Sequence, residues 1–421
     1  MMGVDAYWIP IGYPSIFRRK MRVLQRGSLG NPVKHQNWRL PDGVDELLPP
    51  AAWALEQVRR TVLDVFISWG FDYVEPPLIE YLDALLVGTG SDLDLQTLKA
   101  VDQRSGRLLG VRADMTSQAA RIDAHSLQDN EVQRLCYAGS VVHANPQAIL
   151  ASRVPVKAGA EIFGSSSLAA DVEVVALLVE VLHAVGVDEP VLVLGNMRIY
   201  HNLTTVLDLD DARERGLFAA VQSKSETDIA DIVGDAPVAE LLVRLPTLMG
   251  PADTVGDVRQ ALKSAPAGVL AALDVLVEFT ELVARRCPDL ALRYDVAELA
   301  GYGYHNGPIF SAFHADQGRA LARGGRYDGI GAAFGRSRPA TGFDVSLKEL
   351  LENWRTAVPT IWAPWAEGQS KVELMRRVDE LRESGERVLV ALSAEEIASS
   401  TCSKQLIIKD GQWSVTLFEA H

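Results

Sequence analysis

The sequence predicts an α+β fold: a largely antiparallel sheet with flanking helices, a helical insertion, and a small α/β unit at the C-terminal end. Three observations carry this. Short segments rich in β-branched and large apolar residues recur without the regular strand–helix alternation of a parallel α/β protein. From about 200 to 288 the chain becomes rich in Ala, Leu, Asp and Glu at helical periods. Near the end, two strand-like segments flank Asp410-Gly411, a hairpin turn.

Residues 1–37 carry Arg18, Arg19, Lys20, Arg22, Arg26 and Lys34 against a lone acid, Asp5, with no continuous apolar stretch of the secretory kind. They read as a disordered basic extension. A core domain is expected over 38–355. It opens with Trp53, Leu55, Val58, Val62, Val65 and Phe66 at helical spacing, stopped by Gly70. Strands are expected at 71–74, 108–111, 135–142 and 160–163, a helix at 168–185, and a strand at 191–194. After the insertion come strands at 292–296, 309–313 and 319–322 and a closing helix at 345–354. A small α/β unit spans 356–421: a helix at 372–384, then strands at 387–392, 405–408 and 413–418.

With 41 basic and 55 acidic residues, the net charge is −14. Nucleic-acid binding rests on neutralised phosphates, so this balance argues against wrapping tRNA. No apolar run reaches the roughly 18 residues of a membrane span. Cys136, Cys287 and Cys402 lack the spacing of a metal site or a disulfide framework, which fits a reducing cytoplasm and no resident metal or cofactor.

Four stretches carry candidate chemistry. Phe71-Asp72-Tyr73-Val74-Glu75-Pro76-Pro77 is by itself only a strand stopped by prolines. Arg112-Ala113-Asp114-Met115-Thr116 joins a strand to a helix start, where an acid beside a Thr is ordinarily a cap. In Gly159-Ala160-Glu161-Ile162-Phe163 an acid interrupts an apolar strand, so it either faces outward or serves a polar cavity. Gly301-Tyr302-Gly303-Tyr304-His305, followed by Arg323-Gly324-Gly325-Arg326-Tyr327-Asp328, clusters glycines that let a backbone approach a ligand with phenols that hydrogen-bond; tight turns are the bland alternative.

In this order the segments resemble class II aminoacyl-tRNA synthetases, histidyl-tRNA synthetase in particular, over about 38–352. By that resemblance Asp114 and Thr116 fall in the stretch that binds the amino group of histidine. Glu161 falls on a second histidine-binding carboxylate, Tyr304 and His305 in the histidine-specific motif, and Tyr327 in the shared Gly-Gly-Arg-Tyr-Asp. The departures are as informative. Activating an amino acid brings a carboxylate against an ATP phosphate, so cations must neutralise the developing charge. The arginine positions of the synthetase fall on His143, on Ala300, and on Lys348 or Glu349. Each such donor is worth about 3 kcal/mol, so no useful adenylation is expected without them. Lys157 replaces a histidine-binding glutamine.

Residues 356–421 are too few for a full anticodon-binding domain. Together with Glu298–His305, Ala322–Asp328 and Arg338–Phe343 they resemble instead the regulatory subunits of ATP phosphoribosyltransferase, paralogues of the synthetase. That resemblance implies a non-catalytic chain, required for activity of a short-form ATP phosphoribosyltransferase catalytic subunit and for its feedback inhibition by histidine. It also implies a cytoplasmic homodimer formed through 52–74, with Phe66 and Trp69 in the interface. A truncated working synthetase, or a stand-alone paralogue with another sensing role, stays open on the residues alone.

Overall fold

The computed structural model describes residues 39–87, 91–146, 151–207, 209–299, 305–314, 318–351, 354, 359–399 and 401–418. The basic extension at 1–37 lies outside them, as do Ala300 and Tyr304. The chain divides into two units, Met1–Asp45 and Glu46–His421. In the first, a turn closes from the Val44 N–H to the Pro41 carbonyl at 3.0 Å. The elements below belong to the second.

Helix α1 (Ala51–Ser68) buries Ala54, Val58, Val62 and Phe66, a four-residue spacing that makes one apolar stripe. Gly70, at φ 79°, ends it in the left-handed conformation that glycine adopts without penalty. The Phe71 N–H then returns to the Phe66 carbonyl at 3.1 Å. Strand β1 (Asp72–Tyr73) follows. Next, β2 (Ile79–Tyr81), β3 (Leu98–Val101) and β4 (Leu108–Val111) form a three-stranded sheet in the order β2-β4-β3. It leads into α2 (Thr116–Arg121), which continues as a π-helical turn, Ile122–Leu127.

The main sheet then assembles from β5 (Gln133–Ser140), β6 (Val156–Phe163) and, after helix α3 (Leu168–Ala184), β7 (Pro190–Asn196). The insertion holds helices Asp211–Gln222, Glu226–Val233 and Ala239–Arg244, a short strand β8 (Met249–Pro251), and α4 (Ala267–Arg286). Strands β9 (Ala291–Asp295), β10 (Pro308–His314), β11 (Ala320–Arg326) and β12 (Ala340–Ser346) complete nine strands in the order β1-β5-β6-β12-β11-β10-β7-β9-β8. Neighbours are antiparallel except β1–β5 and β7–β9. One core runs from Val58, Val62 and Phe66 through Val174, Leu178 and Leu182 to Leu276, Phe279 and Val283, joining α1, α3 and α4 to the sheet.

The structure differs from the sequence reading in four places. The segment expected as a helix from 345 is strand β12 through Ser346, then a single turn, Leu347–Leu350. Its alternation of Thr341, Phe343 and Val345 with Gly342, Asp344 and Ser346 is a strand period cut short by the apolar Leu347 and Leu350. Gly324-Gly325 is neither a turn nor a ligand-approach loop but the interior of β11. A Cβ at Gly324 would lie 2.5 Å from the Phe310 ring, so glycine admits that ring. The insertion is not wholly helical, since β8 pairs with β9 at the sheet edge. Finally, Phe66 cannot face a partner: it is fully buried in the chain's own core, 5.9 Å from Phe343. Trp69 is partly buried beneath the Arg286 guanidinium, 5.6 Å from its ring centroid.

Beyond Pro359, β13 (Thr360–Ala363), α5 (Gly368–Glu383), β14 (Arg387–Val390), β15 (Lys404–Lys409) and β16 (Gln412–Leu417) build a four-stranded sheet, order β14-β13-β15-β16. Ile361, Ala363, Leu374, Val378, Leu381 and Leu406 form its separate core. The hairpin turn is at Asp410-Gly411, with φ 51° and 79°, the pairing a tight two-residue turn requires. No helix among the described residues is long and apolar enough to cross a membrane.

Candidate functional site

Strand periodicity sorts β6 into two faces. Ala158, Ala160 and Ile162 enter the main core, whereas Lys157, Gly159 and Glu161 lie on the opposite face. The neighbouring strand repeats the pattern, with Phe343 and Val345 in the core and Gly342, Asp344 and Ser346 opposite. Register aligns them: Glu161 faces Gly342, Gly159 faces Asp344, and Lys157 faces Ser346. On the other side, Tyr137 of β5 stands opposite Gly159.

The glycines on this face make room for specific groups. A Cβ at Gly159 would meet the Tyr137 ring and hydroxyl at 2.5 Å, and one at Gly342 would sit 1.6 Å from Glu161 Oε2. The tyrosine and the carboxylate therefore lie flat across the sheet. The Tyr137 hydroxyl donates to Glu161 Oε1 at 2.8 Å, and the Tyr327 hydroxyl donates to Oε2 at 2.5 Å. Thr116 Oγ1 lies 3.1 Å from the Tyr137 hydroxyl, and the Thr116 N–H donates to Asp114 Oδ1 at 3.0 Å. The His305 ring lies 6.3 Å from that of Tyr327. Glu161, Tyr137 and Tyr327 are each 1 % exposed. Burial pushes the Glu161 carboxyl up to about 8, against the two phenol hydrogen bonds that favour its charge; the nearby Asp114 and Asp344 carboxylates push it further up.

Alongside this network opens a cavity of about 270 Å³, lined among others by Asp114, His143, Lys157, His305, Asp344 and Lys348. Its cations are engaged with the protein. Lys157 Nζ bonds Asp344 Oδ2 at 3.0 Å, Lys348 Nζ bonds Ser152 Oγ at 3.2 Å, and Arg319 pairs with Glu349. His143 places Nε2 3.2 Å from the Ala113 carbonyl, and burial, helped by the Lys157 charge, lowers its pKa and favours the neutral ring.

Of the residues singled out in the sequence, Asp114 and His305 line the cavity, while Thr116, Glu161 and Tyr327 form the buried network behind it. Tyr304 lies outside the described residues. Sequence reasoning omitted Tyr137, whose signal was available: Gly159, two residues before Glu161, is a space its ring fills. It also could not separate ligand-facing arginines from structural ones. Arg112 donates to the Pro76 and Ser140 carbonyls at 2.5 and 2.9 Å. Arg326 holds Asp171 Oδ2 through Nη2 at 2.7 Å and the Ser165 and Ser167 carbonyls at 2.9 and 3.1 Å, tying β11 to the start of α3. Arg338 holds the buried Asp123 at 2.7 Å.

The chain matches the family model for histidyl-tRNA synthetase over residues 43–350 and that for the C-terminal domain of the ATP phosphoribosyltransferase subunit HisZ over 358–416. It is 46% identical over 388 residues to an ATP phosphoribosyltransferase regulatory subunit of Pseudomonas aeruginosa, covering 90% of this chain and 97% of the relative. It is 45% identical over 387 residues to one from Pseudomonas putida, with the same coverage. Among solved structures, a protein described as an ATP phosphoribosyltransferase regulatory subunit/histidyl-tRNA synthetase from Bacillus halodurans superposes with a TM-score of 0.73 at 24% identity, over 84% of this chain and 92% of that one. A histidyl-tRNA synthetase from Nostoc superposes with a TM-score of 0.73 at 15% identity, over 90% and 97%. The architecture is thus the class II synthetase-like α+β fold, and the chain belongs to the family of ATP phosphoribosyltransferase regulatory subunits.

Proposed function

We propose that this chain is the histidine-sensing regulatory subunit of a short-form ATP phosphoribosyltransferase, acting in the first step of histidine biosynthesis, with the cavity beside Glu161 as the sensor. One observation carries the reading. The carboxylates and phenols suited to an amino acid are retained, while the charge balance suited to ATP is not. At the positions where the synthetase resemblance calls for phosphate-facing arginines stand a buried His143 and the residues Lys348 and Glu349, both engaged within the protein. A developing phosphate charge would find no free bidentate donor among them. Asp114 and Glu161 supply negative charge for the ligand ammonium, and Tyr327 and His305 hydrogen-bond its imidazole.

The same reading takes the chain as a cytoplasmic homodimer that binds the catalytic subunit and no tRNA. Trp53, Ile67 and Tyr73 are exposed apolar side chains of the segment expected at the dimer interface, and the net charge of −14 opposes tRNA binding. The test is phosphoribosyltransferase activity of the complex reconstituted with a short-form catalytic subunit, measured against rising histidine. Glu161→Gln should raise the inhibitory histidine concentration at least about tenfold. Unchanged inhibition would move the sensor away from this cavity.

A further inference from the structure

Histidine is a zwitterion, and the cavity as described provides for only part of it. Asp114 and Glu161 suit the ammonium, and Tyr327 and His305 suit the ring. The arginine that meets the carboxylate in the synthetase pattern is Ala300 here. A carboxylate entering among Asp114, Asp344 and Glu349 needs a cation of its own.

We infer that Lys157, held in place by Asp344, is the group that recognises the ligand carboxylate and makes the cavity selective for an α-amino acid over the corresponding amine. This rests on the histidine-sensing reading above and adds the group that decides ligand class. Lys157 and Glu161 share one face of β6, four residues apart, which sets their Cα atoms about 13 Å apart at roughly 3.3 Å per residue. With both side chains folding toward the cavity, that span suits a ligand whose imidazole end lies toward Glu161 and whose carboxylate lies toward Lys157. Asp114 is close enough to act electrostatically on both Glu161 and Lys157, which puts it between the two ends, where the ammonium would sit. Burial opposes charge on Lys157, but Asp344 and Asp114 outweigh it and hold the ammonium above its ordinary range. An ammonium has three N–H donors, so it can serve Asp344 and a ligand carboxylate together. Asp344 in turn fixes the lysine side chain from the adjacent strand, with no ligand needed to order it.

The experiment is titration calorimetry of the full chain with L-histidine and with histamine, which lacks only the carboxylate. The wild type should bind histidine at least about tenfold more tightly than histamine. Lys157→Met should abolish that preference, and Lys157→Arg, which keeps the charge, should retain it. Asp344→Asn should weaken histidine but not histamine, and it checks the site without leaving an unpaired buried acid. Equal preference for histidine in Lys157→Met and wild type would overturn the inference and leave the sensor reading standing. Absence of any histidine binding by folded wild-type chain would overturn the sensor reading and this inference with it.

Discussion

The buried Glu161 ties ligand chemistry to stability, and Glu161→Gln separates the two. Its carboxyl is raised from the model value of 4.5 to about 8, chiefly by burial. At about 1.4 kcal/mol per pH unit, the folded state prefers the protonated acid by about 5 kcal/mol. Below the unfolded-state value the group is neutral in both states and exerts no pull. As pH rises from about 4.5 to about 8, the unfolded chain releases the proton and the folded chain keeps it, so wild-type stability falls. Above about 8 the group is ionised in both states and the loss is complete. Glutamine has the shape of the neutral acid, with one acceptor and donors for the second phenol oxygen. The variant should therefore match the wild type near pH 5. It should then gain on it by about 1.4 kcal/mol per pH unit, and level off above pH 8. Urea unfolding of both proteins at pH 5, 6.5, 8 and 9 measures this directly. Parallel pH curves for the two proteins would show that Glu161 is ionised in the fold, and the burial argument would fail. The outcome also matters for the sensor test, because a stable Glu161→Gln chain that ignores histidine has lost binding rather than structure.

Further expectations follow from the same geometry. If histidine ionises Glu161 on binding, part of a proton is released near pH 7, and the apparent binding enthalpy will vary with the ionisation enthalpy of the buffer; buffer-independent heats would mean the acid stays neutral. Gly342→Ala places a methyl 1.6 Å from Glu161 Oε2. It should cost about 1–3 kcal/mol in urea unfolding, most of it relieved in the double variant with Glu161→Ala. Asp171→Ala leaves the Arg326 guanidinium buried without its counter-charge and should cost about 3–5 kcal/mol; a change below about 1 kcal/mol would make that ion pair dispensable. Histidine-dependent ATP–pyrophosphate exchange should stay at background, and synthetase-like turnover would contradict the loss of the phosphate-facing arginines.

What the sequence could and could not disclose follows from which interactions are local. Helix α1 was legible because its stripe is set by residues four apart, and the Asp410-Gly411 hairpin because its turn needs residues that tolerate positive φ. Strand β12 was not, because what makes 340–346 a strand is its pairing with β6 and β11, on segments far away in the chain. The same distinction governs the site. The resemblance to the synthetase singled out Glu161, Asp114 and Tyr327 one position at a time, but it carried no information on where charge is cancelled. Arg326 and Arg338 look in sequence like the very cations a nucleotide would need, yet each spends its donors on a buried carboxylate and on backbone carbonyls. Lys157 looked like a defect, a cation where a neutral amide belonged. Only the diagonal neighbour on β12, 187 residues further along, shows it as half of an ion pair at 3.0 Å. Asp344 would be an equally poor choice for that strand if Lys157 were absent, since an unpaired acid there costs several kcal/mol. The two substitutions make physical sense only together. A regulatory chain derived from an amino-acid-activating fold must still hold the amino acid while ceasing to polarise it. A lysine pinned by an aspartate does this: it offers one hydrogen-bonded positive charge to a carboxylate, without the bidentate fork that would also seize a phosphate.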